Sequence, residues 1–345
     1  MIVIRVDGNE KIGTGHMMRC LSIATALREK GEDVRFFVAD ESMETILQER
    51  GFSYKILQGD YTNLEDEITE LKQSLSSDTL LLIDSYYVTK KYLEVLSMLA
   101  RVVYIDDLRK IPYKVDYVIN YNGYATDALA YYQKHTNYES LLGTQYAPLR
   151  EEFRNVTYRI KSVCKRVLLT TGGTDAYNIG GQLLMMSNCG RMKDYFVNIE
   201  FVVIVGVFHS YQKELEELAK EYSNITLLYN VKNMGEIMQE SDVAISAAGS
   251  TIYELCAVGV PTLALSFVEN QEEILDTMAY KEAIYSCGHY HKEGVQVLEN
   301  IINSLKELLE EPEKRRSLSE AARRMVDGTG VSRIADKLIE WDNQK

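Results

Sequence analysis

Asp7 to Cys20, "DGNEKIGTGHMMRC", brings three glycines, a histidine and the cations Lys11 and Arg19 into one short stretch behind the apolar run "MIVIRV". Glycines between a strand and a helix let backbone N–H groups approach an anion closely, so they commonly serve phosphate. Spacing tests two standard versions of that chemistry. A Walker A loop needs a lysine after its second glycine; Gly8 and Gly13 have the right separation, but Thr14 stands in the lysine's place. A dinucleotide fingerprint needs its glycines directly behind the strand; Gly13 and Gly15 come several residues late and Met18 replaces the third. Asp40, after the second strand, suits a ribose, but the loop in front of it weakens the nicotinamide reading.

What remains is a longer loop that delivers Gly15 and His16 to the start of a helix. The unpaired N–H groups there favour anionic oxygen. The same field disfavours imidazolium, and a neutral imidazole can take a proton from water. Arg19 is three residues further on, on a neighbouring part of the same face. On position alone, His16 serves equally as a general base or as a residue that packs the helix start.

A second set of residues lies in "SAAGSTIYELCAVGVP", which reads as strand, tight turn, helix, turn and strand. Gly249, Ser250 and Thr251 fall at that helix N-terminus, where N–H and hydroxyl donors suit a diphosphate. Glu254, one turn on, is placed to meet a ribose hydroxyl pair. The plain alternative is a serine N-cap with Glu254 in a capping box. Gly172 and Gly173, in "TTGGTD", form a similar turn, with an ordinary strand-to-helix loop as its alternative.

These residues need a scaffold of alternating strands and helices. Apolar β-type runs at 2–6, 33–38, 79–83, 101–105 and 116–119 alternate with helical patterns at 15–30, 42–50, 63–76 and 89–99. Residues 120–160 read as irregular and rich in Tyr and Asn. The alternation then restarts with "RVLLT", "NIEFVVIVG", "ITLLY", "DVAISA" and "PTLALSF", and 295–345 is helical and charged. Alternation of this kind predicts parallel sheets covered by helices. The expected domains are 1–150, 151–330 and a C-terminal helix, 331–345, that packs back on the first. In open α/β sheets ligands sit beyond the carboxyl ends of the strands, which is where each half carries its glycines.

Composition narrows the chemistry. The 345 residues suffice for two domains, and 46% hydrophobic content supports a large core. A net charge of −13 argues against nucleic acid as a partner. The longest apolar run, 201–208, is too short to span a bilayer, and no signal-type segment opens the chain, so no stable membrane insertion is expected. Five scattered cysteines without a CxxC pair fit reduced thiols and a cytoplasmic setting. Asp-x-Asp, the usual metal-binding pair of sugar transfer, does not occur, so no metal and no cofactor is expected. There is no Gly-x-Ser-x-Gly for a serine-triad hydrolase.

Weaker candidates remain. Asp84, Asp106 and Asp107 sit at strand ends, where they meet substrate or cap loops. His289 and His291 would share one face of a strand but have no third ligand nearby. The tyrosines of 113–138 can stack on sugar or uracil, or pack the loop.

Taken in order, "IGTGHMMRCLSIATAL", "LLIDSYYV", "IDDL", "GTQYAPLREEF", "TTGGTDAYN" and "SAAGSTIYELCAVGVPTLALSFVENQ" resemble the pseudaminic-acid-pathway UDP-sugar hydrolase family, which shades into spore-coat polysaccharide proteins of the SpsG type. The chain also resembles, more distantly, the glycosyltransferase of lipid II synthesis. The matching stretches cover roughly 1–275. The resemblance implies an α/β protein of GT-B type, two Rossmann-like domains facing across a cleft. It implies cleavage of a UDP-2,4-diacetamido-2,4,6-trideoxyhexose by water, with inversion at the anomeric carbon. His16 matches the family's water-activating base, and the "GST…E" segment matches its UDP site. Arg5, Asp7, Gly13, Gly15, Arg19, Asp84, Tyr86, Asn270 and Gln271 are the expected substrate contacts. Where the family often reads Ile-Asp-His-Tyr, this chain reads Ile83-Asp84-Ser85-Tyr86, which leaves the sugar open. A glycosyltransferase with an acceptor in place of water is the alternative. UDP is a good leaving group, so charge stabilisation on the diphosphate and a positioned base would suffice.

Overall fold

The computed structural model describes residues 1–9, 11–111, 113–206 and 209–344. The chain divides into two compact units, Met1–Arg150 with Thr329–Lys345, and Glu151–Gly328. Each is built on one parallel sheet.

In the first unit the strands are β1 (Ile2–Val6), β2 (Val34–Val38), β3 (Ser53–Ile56), β4 (Leu80–Asp84), β5 (Arg101–Ile105), β6 (Val115–Asn120) and β7 (Thr136–Leu142), in the order β3-β2-β1-β4-β5-β6-β7. All neighbours pair in parallel. β1 and β4 are buried at every position, as strands covered on both faces must be, and this is why they read as unbroken apolar runs. Residues 120–160, expected to be irregular, hold the helix Leu129–His135 and the strand β7. β7 lies at a sheet edge and half of it is solvated, so "TNYESLL" carries polar residues that hide it as a strand.

In the second unit β8 (Arg166–Thr170), β9 (Glu200–Val205), β10 (Ile225–Tyr229), β11 (Val243–Ala247), β12 (Thr262–Ser266) and β13 (Tyr285–His289) lie in the order β10-β9-β8-β11-β12-β13. Its core joins Val167, Leu169, Val203, Ile245 and Leu263 to the apolar faces of helices Ile179–Asn188 and Gln296–Glu310. Of the apolar run 201–208, residues 207 and 208 lie outside the described residues; 201–205 belong to β9. The helix Gly330–Asn343 belongs to the first unit and packs on helix Gly15–Glu29. Trp341 on it stacks on Tyr117 of β6 with ring centroids 4.0 Å apart.

Strand order reverses beside β1 in the first sheet and beside β8 in the second. At such a switch point successive connections leave to opposite faces and open a crevice at the carboxyl ends. The β1 and β4 ends carry the loop of His16 and the segment Asp84–Tyr87. The β8 and β11 ends carry the turns of Gly172 and Gly249.

Candidate active site

The loop between β1 and helix Gly15–Glu29 is shaped by its own residues. Asn9 Oδ1 accepts from the amides of Lys11 and Ile12, and Gly13 takes a positive φ of 73°, a conformation that favours glycine. The helix then begins at Gly15 with no side-chain cap and no acidic residue in its first turn. His16 follows and is buried, with 8% of its surface exposed.

Its partner is Asp84, the last residue of β4. His16 Nδ1 lies 2.6 Å from Asp84 Oδ1. A carboxylate oxygen that close requires a donor, so Nδ1 carries the hydrogen and Nε2 is the basic nitrogen of the ring. Arg19 completes the arrangement. It donates from Nε to Asp84 Oδ2 at 2.6 Å, from Nη2 to Asp84 Oδ1 at 2.5 Å and from Nη1 to Asp107 Oδ2 at 2.6 Å, and it also meets the Tyr121 hydroxyl. Burial works to raise the Asp84 carboxyl, but Arg19 and His16 outweigh it and hold it well below the usual carboxylate range. Tyr86 packs edge-on against the His16 ring, centroids 4.3 Å apart, and donates to Asp107 at 3.2 Å.

Asp106 behaves in the opposite way. Burial pushes its carboxyl up, against the pull of the Tyr113 hydroxyl and the amides of Arg109 and Leu108. It is a loop cap, the second of the two roles open to strand-end aspartates. Several tyrosines of 113–138 are likewise internal: Tyr113 donates to Asp106, Tyr121 meets Arg19, and Tyr124 donates to the Asp107 carbonyl, whereas Tyr138 is exposed.

Three expected substrate contacts have their polar groups engaged by other side chains of the first unit. Arg5 is fully buried. Its Nε and Nη2 donate to the two oxygens of Glu67 at 2.8 Å each, and its Nη1 donates to Asp7 at 2.6 Å. A guanidinium with no exposed surface and both its carboxylate partners inside the unit is out of reach of a diphosphate. Arg19 is likewise engaged by Asp84 and Asp107, and its place is behind His16. Asp84 is 1% exposed, with both oxygens held by His16 and Arg19, so it orients the histidine.

His16 faces a cavity of about 100 Å³. Ile12, Tyr61, Ser85, Tyr86 and Tyr87 form its wall with His16, and Asp7 and Asp84 reach it from the strand ends. Tyr61, Tyr87 and Glu67 were not foreseen.

In the second unit the two glycine turns differ. Behind the exposed Gly172 and Gly173, the helix Ile179–Asn188 is capped by its own carboxylate. Asp175 accepts from the amides of Ile179 and Gly180, at 2.8 Å each. That N-terminus is already neutralised. Gly173 presses on Gly206, where a Cβ would lie 2.4 Å from the Gly173 carbonyl oxygen. The turn at Gly249 is open. Ser250 has helical φ and ψ of −60° and −27° and makes no side-chain cap. The amides of Ser250 and Thr251 have no backbone acceptor among the described residues. Glu254 stands in the first turn of the same helix, Thr251–Val258. Asn270 is exposed at the start of helix Glu269–Tyr280, while the Gln271 side chain accepts from the Phe267 amide at 2.9 Å.

His289 and His291 do not share a strand: β13 ends at His289, and His291 lies in the short helix Tyr290–Glu293. Each pairs with a carboxylate of helix Glu269–Tyr280, His289 with Asp276 at 3.4 Å and His291 with Glu272 at 2.6 Å. Among the described residues no group of three or more His, Cys, Asp or Glu is arranged to hold a metal ion. No helix among them is long and apolar enough to cross a membrane.

Residues 167–338 match the model of the glycosyltransferase family 28 C-terminal domain. Along the whole chain the fold is shared with Acinetobacter baumannii MurG, at a TM-score of 0.65, 14% identity and coverage of 98% of this chain and 99% of that one. This chain has the GT-B fold. Among its relatives in sequence, the Bacillus subtilis spore coat polysaccharide biosynthesis protein SpsG is 26% identical over 99% of this chain and 98% of its own length. The Campylobacter jejuni UDP-2,4-diacetamido-2,4,6-trideoxy-beta-L-altropyranose hydrolase is 26% identical over 81% of this chain and 96% of its own. An uncharacterized Methanocaldococcus jannaschii protein is 27% identical over 80% of this chain, and the match spans 57% of that longer relative.

Asp84 gives this protein a pH signature. Its native carboxyl is held below the unfolded value of about 3.9. The stabilisation is therefore full above that value and is lost as pH falls through the native one. Urea midpoints of the first unit, followed by Trp341 fluorescence, should drop between pH 7 and pH 3. Asp84→Asn should start lower and fall less over the same range. Equal slopes for the two proteins would remove Asp84 as the source.

Proposed function

We propose that the chain is a metal-independent hydrolase of a UDP-2,4-diacetamido-2,4,6-trideoxyhexose, releasing UDP and free sugar in nonulosonic acid or surface polysaccharide biosynthesis. The observation that carries the reading is the 2.6 Å pairing of His16 with Asp84 at the switch point of the first sheet. Asp84 keeps the Nδ1 hydrogen of His16 in place, so Nε2 takes a proton from water as the water attacks the anomeric carbon. The bond to the diphosphate breaks, UDP leaves with the bonding pair, and attack from the opposite side inverts the centre. The leaving diphosphate is a weak base, so it departs without a strong acid. In the second unit the Ser250 and Thr251 amides offer donors suited to a nucleotide diphosphate. The Campylobacter relative's activity and the SpsG relative's polysaccharide role support this choice of substrate class.

The name of the family model favours a second reading, transfer of the sugar to an acceptor. One experiment separates the two. A panel of UDP-2,4-diacetamido-2,4,6-trideoxyhexoses is incubated with the protein in EDTA, without acceptor, and followed by NMR. Free sugar appearing first as the inverted anomer is expected. UDP binding without turnover would favour transfer, and activity restored only by Mg²⁺ would overturn metal independence.

The nucleotide side has its own test. Ser250 already holds the φ that proline imposes, and its amide has no backbone acceptor. Ser250→Pro should leave urea stability within about 0.5 kcal/mol and weaken UDP binding about tenfold by calorimetry, the loss of one charge-assisted hydrogen bond. Undiminished UDP affinity would place the diphosphate elsewhere.

A further inference from the structure

The segment "IDDL" sets two aspartates behind β5, and their roles differ. Asp106 shapes the loop by accepting from the Leu108 and Arg109 amides. Asp107 joins the site. Its backbone is pinned by the Tyr124 hydroxyl, which donates to its carbonyl at 2.5 Å. Its side chain is 9% exposed. One oxygen, Oδ2, receives two donors, Arg19 Nη1 at 2.6 Å and the Tyr86 hydroxyl at 3.2 Å. Burial first, and then the Asp107 charge, push the Tyr86 hydroxyl well above its ordinary range, so it keeps the hydrogen it donates. The other oxygen, Oδ1, is buried with no hydrogen-bond partner among the described residues. A bare buried carboxylate oxygen costs stability, so stability alone does not account for an aspartate at this place.

Both donors lead to His16. Arg19 grips the two oxygens of Asp84 with Nε and Nη2, and Asp84 holds the Nδ1 hydrogen of His16. Tyr86 lays its ring against the imidazole, centroids 4.3 Å apart. Without a third anchor the Arg19–Asp84 pair would swing on two flexible side chains. Nη1 ties the pair to the neighbouring strand end, because β4 and β5 run in parallel with Ile83 beside Tyr104. Tyr121 also meets Nη1, but a neutral hydroxyl is a weaker tether than a carboxylate. We infer that Asp107 is a positioning residue for the base: one oxygen fixes the imidazole through Arg19 and Asp84 on one path and through Tyr86 on the other. The inference rests on the general-base reading of His16 and deepens it.

The test reads the imidazole directly and without substrate. Nitrogen NMR of isotopically labelled histidines shows which ring nitrogen carries the hydrogen; the chain has five histidines, and His16 is assigned by its loss in His16→Gln. In the uncharged ring of the wild type the hydrogen should sit on Nδ1. In Asp107→Ala the two His16 signals should converge as the tautomers mix. Turnover of the UDP-2,4-diacetamido-2,4,6-trideoxyhexose that the wild type accepts should lose about 10–100-fold in kcat, with KM unchanged. Asp107→Asn keeps an acceptor oxygen for both donors and should restore the wild-type signals and most of the rate. Wild-type signals and kcat in Asp107→Ala, with His16→Ala inactive, would overturn the positioning role and leave the base standing. Asp107→Asn as impaired as Asp107→Ala would overturn it too, since the acceptor is then not what matters. Full turnover in His16→Ala would overturn both readings together. Should Asp107→Ala fail to fold, Tyr86→Phe cuts one of the two paths, and the signals should converge in part; wild-type signals there would overturn the inference.

Discussion

Asp84→Asn is expected to lower turnover of the UDP-sugar by about 10²–10⁴-fold while leaving UDP affinity unchanged. Asparagine keeps the shape of aspartate, but its amide offers a donor where a carboxylate accepted. His16 Nδ1, 2.6 Å away, would lose the partner that keeps its hydrogen in place. The ring is then free to turn or to adopt the other tautomer, and Nε2 no longer faces water as a base. His16→Ala removes the base itself and should cost a similar factor. Because the two residues act as one unit, the double variant should be no slower than the slower single variant. Multiplied losses in the double variant would mean that Asp84 works independently of His16. A confounding route is structural, since Asp84 also receives two donors from Arg19. Asp107 still holds Arg19 in the variant, so the Trp341 emission of the folded protein should be unaltered. Wild-type turnover in His16→Ala would end the general-base assignment.

The sequence made the centre of each sheet readable and obscured the edges. β1, β4 and β5 are apolar at nearly every position because both faces are covered, and their boundaries match the expected runs within one residue. β3, β7 and β13 lie on sheet edges, and "SYKI", "TNYESLL" and "YSCGH" mix polar and apolar residues without a clean period. The site shows the same division. His16 was visible because a histidine at a helix start behind a glycine loop invites a chemical reading. That Asp84 is its partner was not visible, because the two are 68 positions apart and meet only through the adjacency of β1 and β4. Arg5 was misread for a related reason. A cation on the strand leading into a phosphate-type loop suggests an anion ligand, and only the fold reveals Glu67 beneath it. Glu67 itself sits in the acidic run "LEDE", which in sequence is indistinguishable from a solvated helix start.

Removal of Glu67 should be among the most destabilising single changes in the first unit. Arg5 lies on the central strand β1 with no exposed surface, and Glu67 supplies both acceptors for its Nε and Nη2. Tyr92 donates its hydroxyl to the same carboxylate. Glu67→Ala would leave a buried guanidinium with Asp7 as its remaining partner, a situation that costs about 3–5 kcal/mol. Urea unfolding followed by fluorescence reads this unit alone, because the single tryptophan, Trp341, stacks on Tyr117 of its sheet. Replacing both members, Arg5→Met with Glu67→Met, should recover a large part of the loss, because two apolar side chains then fill the space without an unpaired charge. A Glu67→Ala midpoint equal to the wild type would mean that the cavity admits water to the guanidinium. The consequence reaches catalysis through Asp7. Its Oδ2 accepts from Arg5 and its Oδ1 accepts from the Ala39 amide, so the pair ties the end of β1 to the end of β2 where the His16 loop departs. Loosening Arg5 therefore loosens the base. Glu67→Ala that still folds should lose kcat with UDP affinity intact, whereas a purely structural role would lower only the fraction of folded enzyme and leave the kcat of the folded part unchanged.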